Sequence, residues 1–202
     1  MVVVPPKLRP WAPGLVLGLG ALALTMIPGA ASWADPSSRF PLRREGGGTR
    51  AACGARPVAH LVPPSSRLAP GATGLIALIE GPTNEPVPLV LRFDQGPPQL
   101  LPPRPAGLRV LRVPTSSAMR LWESYPACGA PQEPEAPPAR SLLLPGEGGP
   151  SDGAVREQLR RLHVACGTSV ATEPLLERFG YGDLRNGLPE QLPVHCDTLP
   201  PT

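Results

Sequence analysis

Proline restricts this chain more than any other residue: 32 of its 202 positions carry it. Each one fixes φ, removes a backbone donor and pushes the residue before it out of helical geometry. Helices are confined to proline-poor stretches, and strands must be short, bulged or begin at a sheet edge. After residue 34, proline and glycine together fill 45 of 168 positions. That is inside the band of about 25–30% where low-complexity chain becomes common. Leu, Ile, Val and Phe hold 38 of the same 168 positions, above the floor of about 20% under which a core is not built. The chain therefore has enough apolar residues for a thin core assembled from short elements.

Residue 34 is a natural division. Lys7 and Arg9 form a basic start, and Leu15–Ile27 (LVLGLGALALTMI) is an uncharged apolar run of 13 residues. Ser32-Trp33-Ala34 then puts small residues at the −3 and −1 positions of a cleavage site before Asp35. Basic, apolar and small segments in that order are those of a secretory signal peptide. A spanning helix needs about 20 apolar residues, so residues 1–34 are read as a signal peptide. A retained anchor over Leu15–Ala31 is the alternative. Beyond that segment 17 basic side chains face 16 acidic ones. Such a balance gives no electrostatic case for binding nucleic acid.

Cys53, Cys128, Cys166 and Cys196 all follow the signal segment. In an exported chain an even number of cysteines reads as disulfides. Sequence does not choose among the pairings. Cys53–Cys128 would span a β region and Cys166–Cys196 would tie the C-terminal segment to its own helix, so these pairs are preferred. His60, His163 and His195 each lie near a cysteine. The chain has no Cys-x-x-Cys and no closely spaced His pair, which structural zinc sites commonly show. No metal and no cofactor is expected.

Residues 35–52 form an Arg/Gly-rich lead-in. Candidate strands follow at 58–62, 73–80, 86–94, 108–113 and 119–125, bounded by proline and glycine. Leu75, Ile76, Leu78 and Ile79 are too continuous for a strand with one wet face. Residues 53–128 are thus expected to be β-rich, and residues 129–150, dense in Pro, Glu and Gly, to be a linker. A helix is expected from Ser151 or Asp152, one of which would be its N-cap, to Val164. A second would start at Thr172-Glu173-Pro174 and stop at Gly180. Residues 189–202 read as a Pro-rich tail anchored by Cys196. The expected fold is mainly β: a small antiparallel sandwich or barrel-like domain with short C-terminal helices (151–202) and much Pro-rich irregular chain.

The lead-in Arg43-Arg44-Glu45-Gly46-Gly47-Gly48-Thr49-Arg50, then Cys53 and His60-Leu61-Val62-Pro63, resembles the opening of a family of exported cyanobacterial proteins known only as a domain of unknown function. The likeness covers about 20 residues, 43–63. It implies export from a bacterial cell and a β domain. It implies no activity and transfers no catalytic residue.

Chemistry-bearing patterns are sparse. Glu45–Arg50 could form a backbone nest for an anion, but it lacks the Lys-Ser/Thr ending of a phosphate loop, and a glycine turn is the simpler reading. There is no Gly-x-Ser-x-Gly and no His-Glu-x-x-His. Glu133 and Glu135 lie in the expected linker, a poor place to hold a geometry. Arg156, Arg160 and Arg161 form a basic helical stripe diluted by Glu157. Trp122 and Tyr125 are expected to serve the core and not a stacking site. The sequence thus points to a periplasmic or secreted, non-enzymatic envelope protein with an interaction or structural role. Its expected partner is another envelope protein or an extended peptide, with membrane contact only if the signal segment is retained. The alternatives are a small secreted hydrolase with a His base and a metal-binding envelope protein.

Overall fold

The computed structural model describes residues 42–47, 56–94, 96–128 and 137–199, which lie in one unit spanning Asp35–Thr202. The strands are β1 (Glu45–Gly46), β2 (Val58–His60), β3 (Arg67–Leu68), β4 (Leu75–Glu80), β5 (Leu89–Phe93), β6 (Gln99–Leu101), β7 (Gly107–Arg112), β8 (Arg120–Pro126) and β9 (Ala139–Leu143). Helix α1 (Pro150–Val164) follows, then β10 (Ser169–Ala171), helix α2 (Thr172–Phe179) and β11 (Gln191–Thr198).

The strands build a six-stranded sheet, β1-β2-β4-β7-β11-β10, and a five-stranded sheet, β3-β9-β8-β5-β6. The fold is mainly β and sandwich-like. It is not purely antiparallel, because β11 runs parallel to β7 and β3 parallel to β9. The sheets are also joined at one side by the lead-in. Glu45 and Gly46 pair with β2, while Arg43 exchanges both backbone hydrogen bonds with Arg140 of β9.

All six residues of β4 are buried, which matches its unbroken apolar run. Side chains alternate across a strand, so two faces must be covered. Register aligns Ala77, Val110 and Cys196 on one face, and Leu78, Arg109 and His195 on the other. Cys196 is bonded to Cys166, just past α1, and α1 packs against β4, β7 and β11. The first face is therefore the helix face. His60 aligns with Leu78 and reaches Ser124 and Ser141 of the five-stranded sheet. The second face is therefore the sheet-to-sheet interior. Each Leu or Ile fully enclosed in this way contributes about 1.5–3 kcal/mol.

The helices start and stop for local reasons. Pro150 occupies the first turn of α1, where its missing donor costs nothing. The cap is Gly149, not Ser151 or Asp152. Asp152 instead reaches back to accept from the Gly149 N–H at 2.8 Å and from the Ala69 N–H at 2.9 Å. Gly180 ends α2 in left-handed geometry, φ 67°.

Two expectations need correction. Residues 139–143, inside the expected linker, are β9, which pairs with β8 on one side and β3 on the other. Proline brackets this strand without entering it: Pro137 and Pro138 precede it and Pro145 follows. Residues 129–136 lie outside the described part. Likewise, the expected Pro-rich tail contains β11, an interior strand. Pro193 faces Ser169 of β10, and the ladder with β7 begins one residue later, at Val194. Proline thus sits where only one neighbour borders the strand. Because β11 completes the sheet that holds β4 and β7, residues 53–128 and 151–202 are not separate units.

Candidate functional site

The sheet-to-sheet interior is polar at two places. At the first, the His60 ring is fully buried between two serines, Ser141 Oγ 2.9 Å from Nδ1 and Ser124 Oγ 2.9 Å from Nε2. Ser124 and Trp122 share the inward face of β8, and the imidazole stacks on the indole. Burial holds the His60 pKa well below its usual value, so the ring is neutral. A neutral imidazole has one donor and one acceptor nitrogen, so one serine accepts from the ring while the other donates to it. The His60 carbonyl accepts a further hydrogen bond from the Tyr181 hydroxyl at 2.5 Å.

The second place is a chain of charges on the same inner face, centred on Arg109, which stands across β4 from His60. Glu80 ends β4 with both carboxylate oxygens held, one by the Arg109 guanidinium and the other by Arg56 at 3.3 Å. Arg109 also reaches Asp197 at 3.2 Å, and Asp197 binds Arg104 at 3.1 Å. Arg56, Glu80 and Arg109 are essentially without solvent exposure. Burial raises the Glu80 carboxyl pKa against the pull of Arg109 and Arg56. His195 leans on this chain, its Nδ1 3.4 Å from Arg104, and burial followed by the Arg104 charge lowers its pKa.

The guanidiniums do a second job. Arg56 donates to the carbonyls of Gly81, Arg104 and Pro105, and Arg109 donates to that of Pro102. Residues 102–105 include three prolines, which supply acceptors and no donors. Buried arginine supplies the donors that this loop lacks.

At the surface, the end of α1 brings His163 beside the Cys166–Cys196 bond, with Nδ1 3.7 Å from each sulfur. Here the preferred pairing is present, with the two Cα atoms 5.6 Å apart. Cys128 is disulfide-bonded too, while Cys53 lies outside the described residues. A shallow cavity of about 190 Å³ opens between the two helices and Val62–Pro64, with Arg178 and Phe179 at its wall.

The three histidines do not form one site. His60 and His195 share a face, but β4 and β7 lie between their strands. At about 4.8 Å per strand the separation is about 14 Å. His163 is across the sheet, on the helix side. The basic stripe on α1 is also spent locally: Arg156 binds the Ala69 carbonyl, and Arg160 and Arg161 both pair with Glu157. In the lead-in, Gly47 has left-handed geometry (φ 95°) and Arg44 donates to the Phe179 and Gly180 carbonyls while covering the Tyr181 ring. Arg44 is thus occupied by the fold; Gly48–Arg50 lie outside the described residues, as do Glu133 and Glu135. Trp122 belongs to the core.

Sequence reasoning passed over Arg56, Glu80, Arg104, Arg109 and Asp197. The signal was present in Glu80, which closes an apolar run, and in Arg109, which interrupts Leu-x-Val on a strand with no wet face. No family model, curated protein or solved structure matches the chain.

Proposed function

We propose that this is an exported envelope protein that acts by binding or scaffolding and not by catalysis. The observation that carries this reading is the enclosure of its interior acid–base groups. His60 is sealed between the sheets with both nitrogens engaged, and Glu80 is held between Arg56 and Arg109 out of reach of solvent. A general base must come within about 3 Å of a substrate proton, and these groups have no such access. Export is supported by the signal-like residues 1–34, by the disulfide and by the likeness of residues 43–63 to exported cyanobacterial proteins. Among the described residues no helix is long and apolar enough to cross a membrane.

The partner fitting this reading is another envelope protein or an extended peptide, added at β6. This strand is the last of its sheet, and Leu100 on it is 52% exposed. Strand addition draws affinity from backbone hydrogen bonds and specificity from alternate side chains. A photo-crosslinking residue in place of Leu100, activated in intact cells, should give one discrete adduct that the same residue in place of Met119 does not. A purified chain that turns over a hydrolase substrate, with turnover lost in His195→Gln or His163→Gln, overturns the non-catalytic reading.

A further inference from the structure

Among the described residues, one group of metal-ligating side chains converges: His163, Cys166 and Cys196, whose donor atoms all lie within 4.8 Å of one another. We propose that reduction of the Cys166–Cys196 bond unmasks a cation site for a thiophilic divalent ion such as zinc, held by both cysteine thiolates and His163 Nδ1.

The geometry is close to what such an ion needs. Zinc takes sulfur at about 2.3 Å and imidazole nitrogen at about 2.0–2.1 Å in tetrahedral array. Those bond lengths put neighbouring donor atoms about 3.5–3.8 Å apart. His163 Nδ1 already stands 3.7 Å from both sulfurs. Two edges of the tetrahedral face are therefore in place, and only the sulfur–sulfur edge must open.

The backbone holds the three residues together without the covalent bond. The Gly167 N–H donates to the Val194 carbonyl at 2.9 Å, and the Val194 N–H to the Thr168 carbonyl at 2.8 Å. Cys196 is also fixed in the parallel ladder with β7, opposite Val110. His163 sits in the last turn of α1 and is exposed, and both cysteines are partly exposed. A reductant and an ion can both reach the group. Asp197 turns to the opposite face, where Arg104 and Arg109 hold it. The fourth coordination position thus opens to solvent, as in zinc sites that bind a water or an exogenous ligand.

The chemistry balances as follows. A dithiol reductant delivers two electrons and two protons. The S–S bond breaks, two thiols form, and the reductant leaves as its own disulfide. The divalent ion then displaces the two thiol protons to solvent and forms two metal–sulfur bonds and one metal–nitrogen bond. A disulfide oxidant reverses the sequence and releases the ion.

The full chain, purified and then reduced with a phosphine, is titrated with zinc against a chromophoric chelator and with Co(II) by absorption. The reduced protein should bind one zinc and give thiolate-to-cobalt charge-transfer bands, and the oxidised protein should do neither. His163→Ala should weaken zinc binding by about tenfold or more and shift the cobalt bands, and Cys166→Ser should abolish them. Cys128→Ser should leave both unchanged. Reduced, folded protein that binds no zinc overturns the proposal. So does zinc binding that survives His163→Ala and Cys166→Ser undiminished. If reduction unfolds the chain by circular dichroism, zinc must restore the fold, and failure to do so also ends the proposal.

Discussion

The imidazole of His60 lies flat on the indole of Trp122, ring centroids 3.5 Å apart and planes within 5° of parallel. This contact joins the two sheets, since His60 belongs to β2 and Trp122 to β8. It also fixes the ring plane in which Ser124 and Ser141 meet the two nitrogens. Replacing His60 with Ala removes the stack, opens a cavity and leaves two hydroxyls unpartnered. Together these should cost about 3–5 kcal/mol in urea unfolding.

His60 should also make the protein acid-sensitive. Unfolded, its imidazole binds a proton near pH 6.5; folded, only well below that. Between the two values the unfolded state holds more protons, so stability rises with pH. The contribution is complete above about pH 6.5 and is lost as pH falls towards the folded value. Thermal melts from pH 7 down to pH 5 should show a steeper loss in the native chain than in His60→Gln. Burial raises Glu80, which works in the opposite sense, but Glu80 is common to both proteins and drops out of the difference. Equal slopes would falsify the assignment.

Arg109 joins Glu80 to Asp197. Arg109→Met leaves enclosed Glu80 with Arg56 alone and Asp197 with Arg104 alone, and should cost about 3–5 kcal/mol. Glu80→Gln in the same chain should recover part of that loss. A double-mutant cycle by denaturant titration measures the coupling. A coupling near zero means that the residues do not act as a pair.

Gly46 touches backbone. A Cβ there would stand 2.1 Å from Ala139 N and 2.5 Å from Pro138 C. Gly46→Ala must push β1 off β9 and should cost about 1–3 kcal/mol, with faster hydrogen exchange at Arg43 and Arg140, whose amides pair across that seam. Unchanged exchange at both amides contradicts the seam.

The Cys166–Cys196 bond closes a loop with a sequence separation of 30. Chain-entropy arguments put its contribution at about 3–4 kcal/mol. Cys166→Ser with Cys196→Ser should lower the urea midpoint accordingly. A change below about 1 kcal/mol would show that backbone bonds at Gly167 and Val194 hold the loop unaided.

The order of apolar strands and the two helices were legible in the sequence because hydrophobic runs and glycine stops act locally. Leu75–Ile79 and Thr172–Gly180 came from such signals, while the Cys166–Cys196 pairing was preferred because it ties the C-terminal segment to its own helix. The sequence misled wherever proline was counted as an average over a window. Ala139–Leu143 is a clean strand between prolines, and Pro193 occupies a stretch of β11 that is bordered by β10 alone. The buried network was hidden for another reason. A charge in an apolar strand is ambiguous until register shows what stands opposite. Only pairing places Gly107 against Glu80 and sets Arg109 to reach it. The composition held one unused clue: of 19 basic residues, 18 are arginine and one is lysine. A fold that needs donors for proline-rich carbonyls wants a forked, rigid donor group, and lysine does not supply one.

The strand order has a consequence for how this protein is made. β11 is the last strand among the described residues, yet it lies between β7 and β10, inside the six-stranded sheet. Until it arrives, β7 presents a bare hydrogen-bonding edge with Arg109 and half of its counter-charges missing. Closure of this edge therefore waits for residues 191–198, and a nascent or truncated chain lacking them is a sticky, open-edged intermediate.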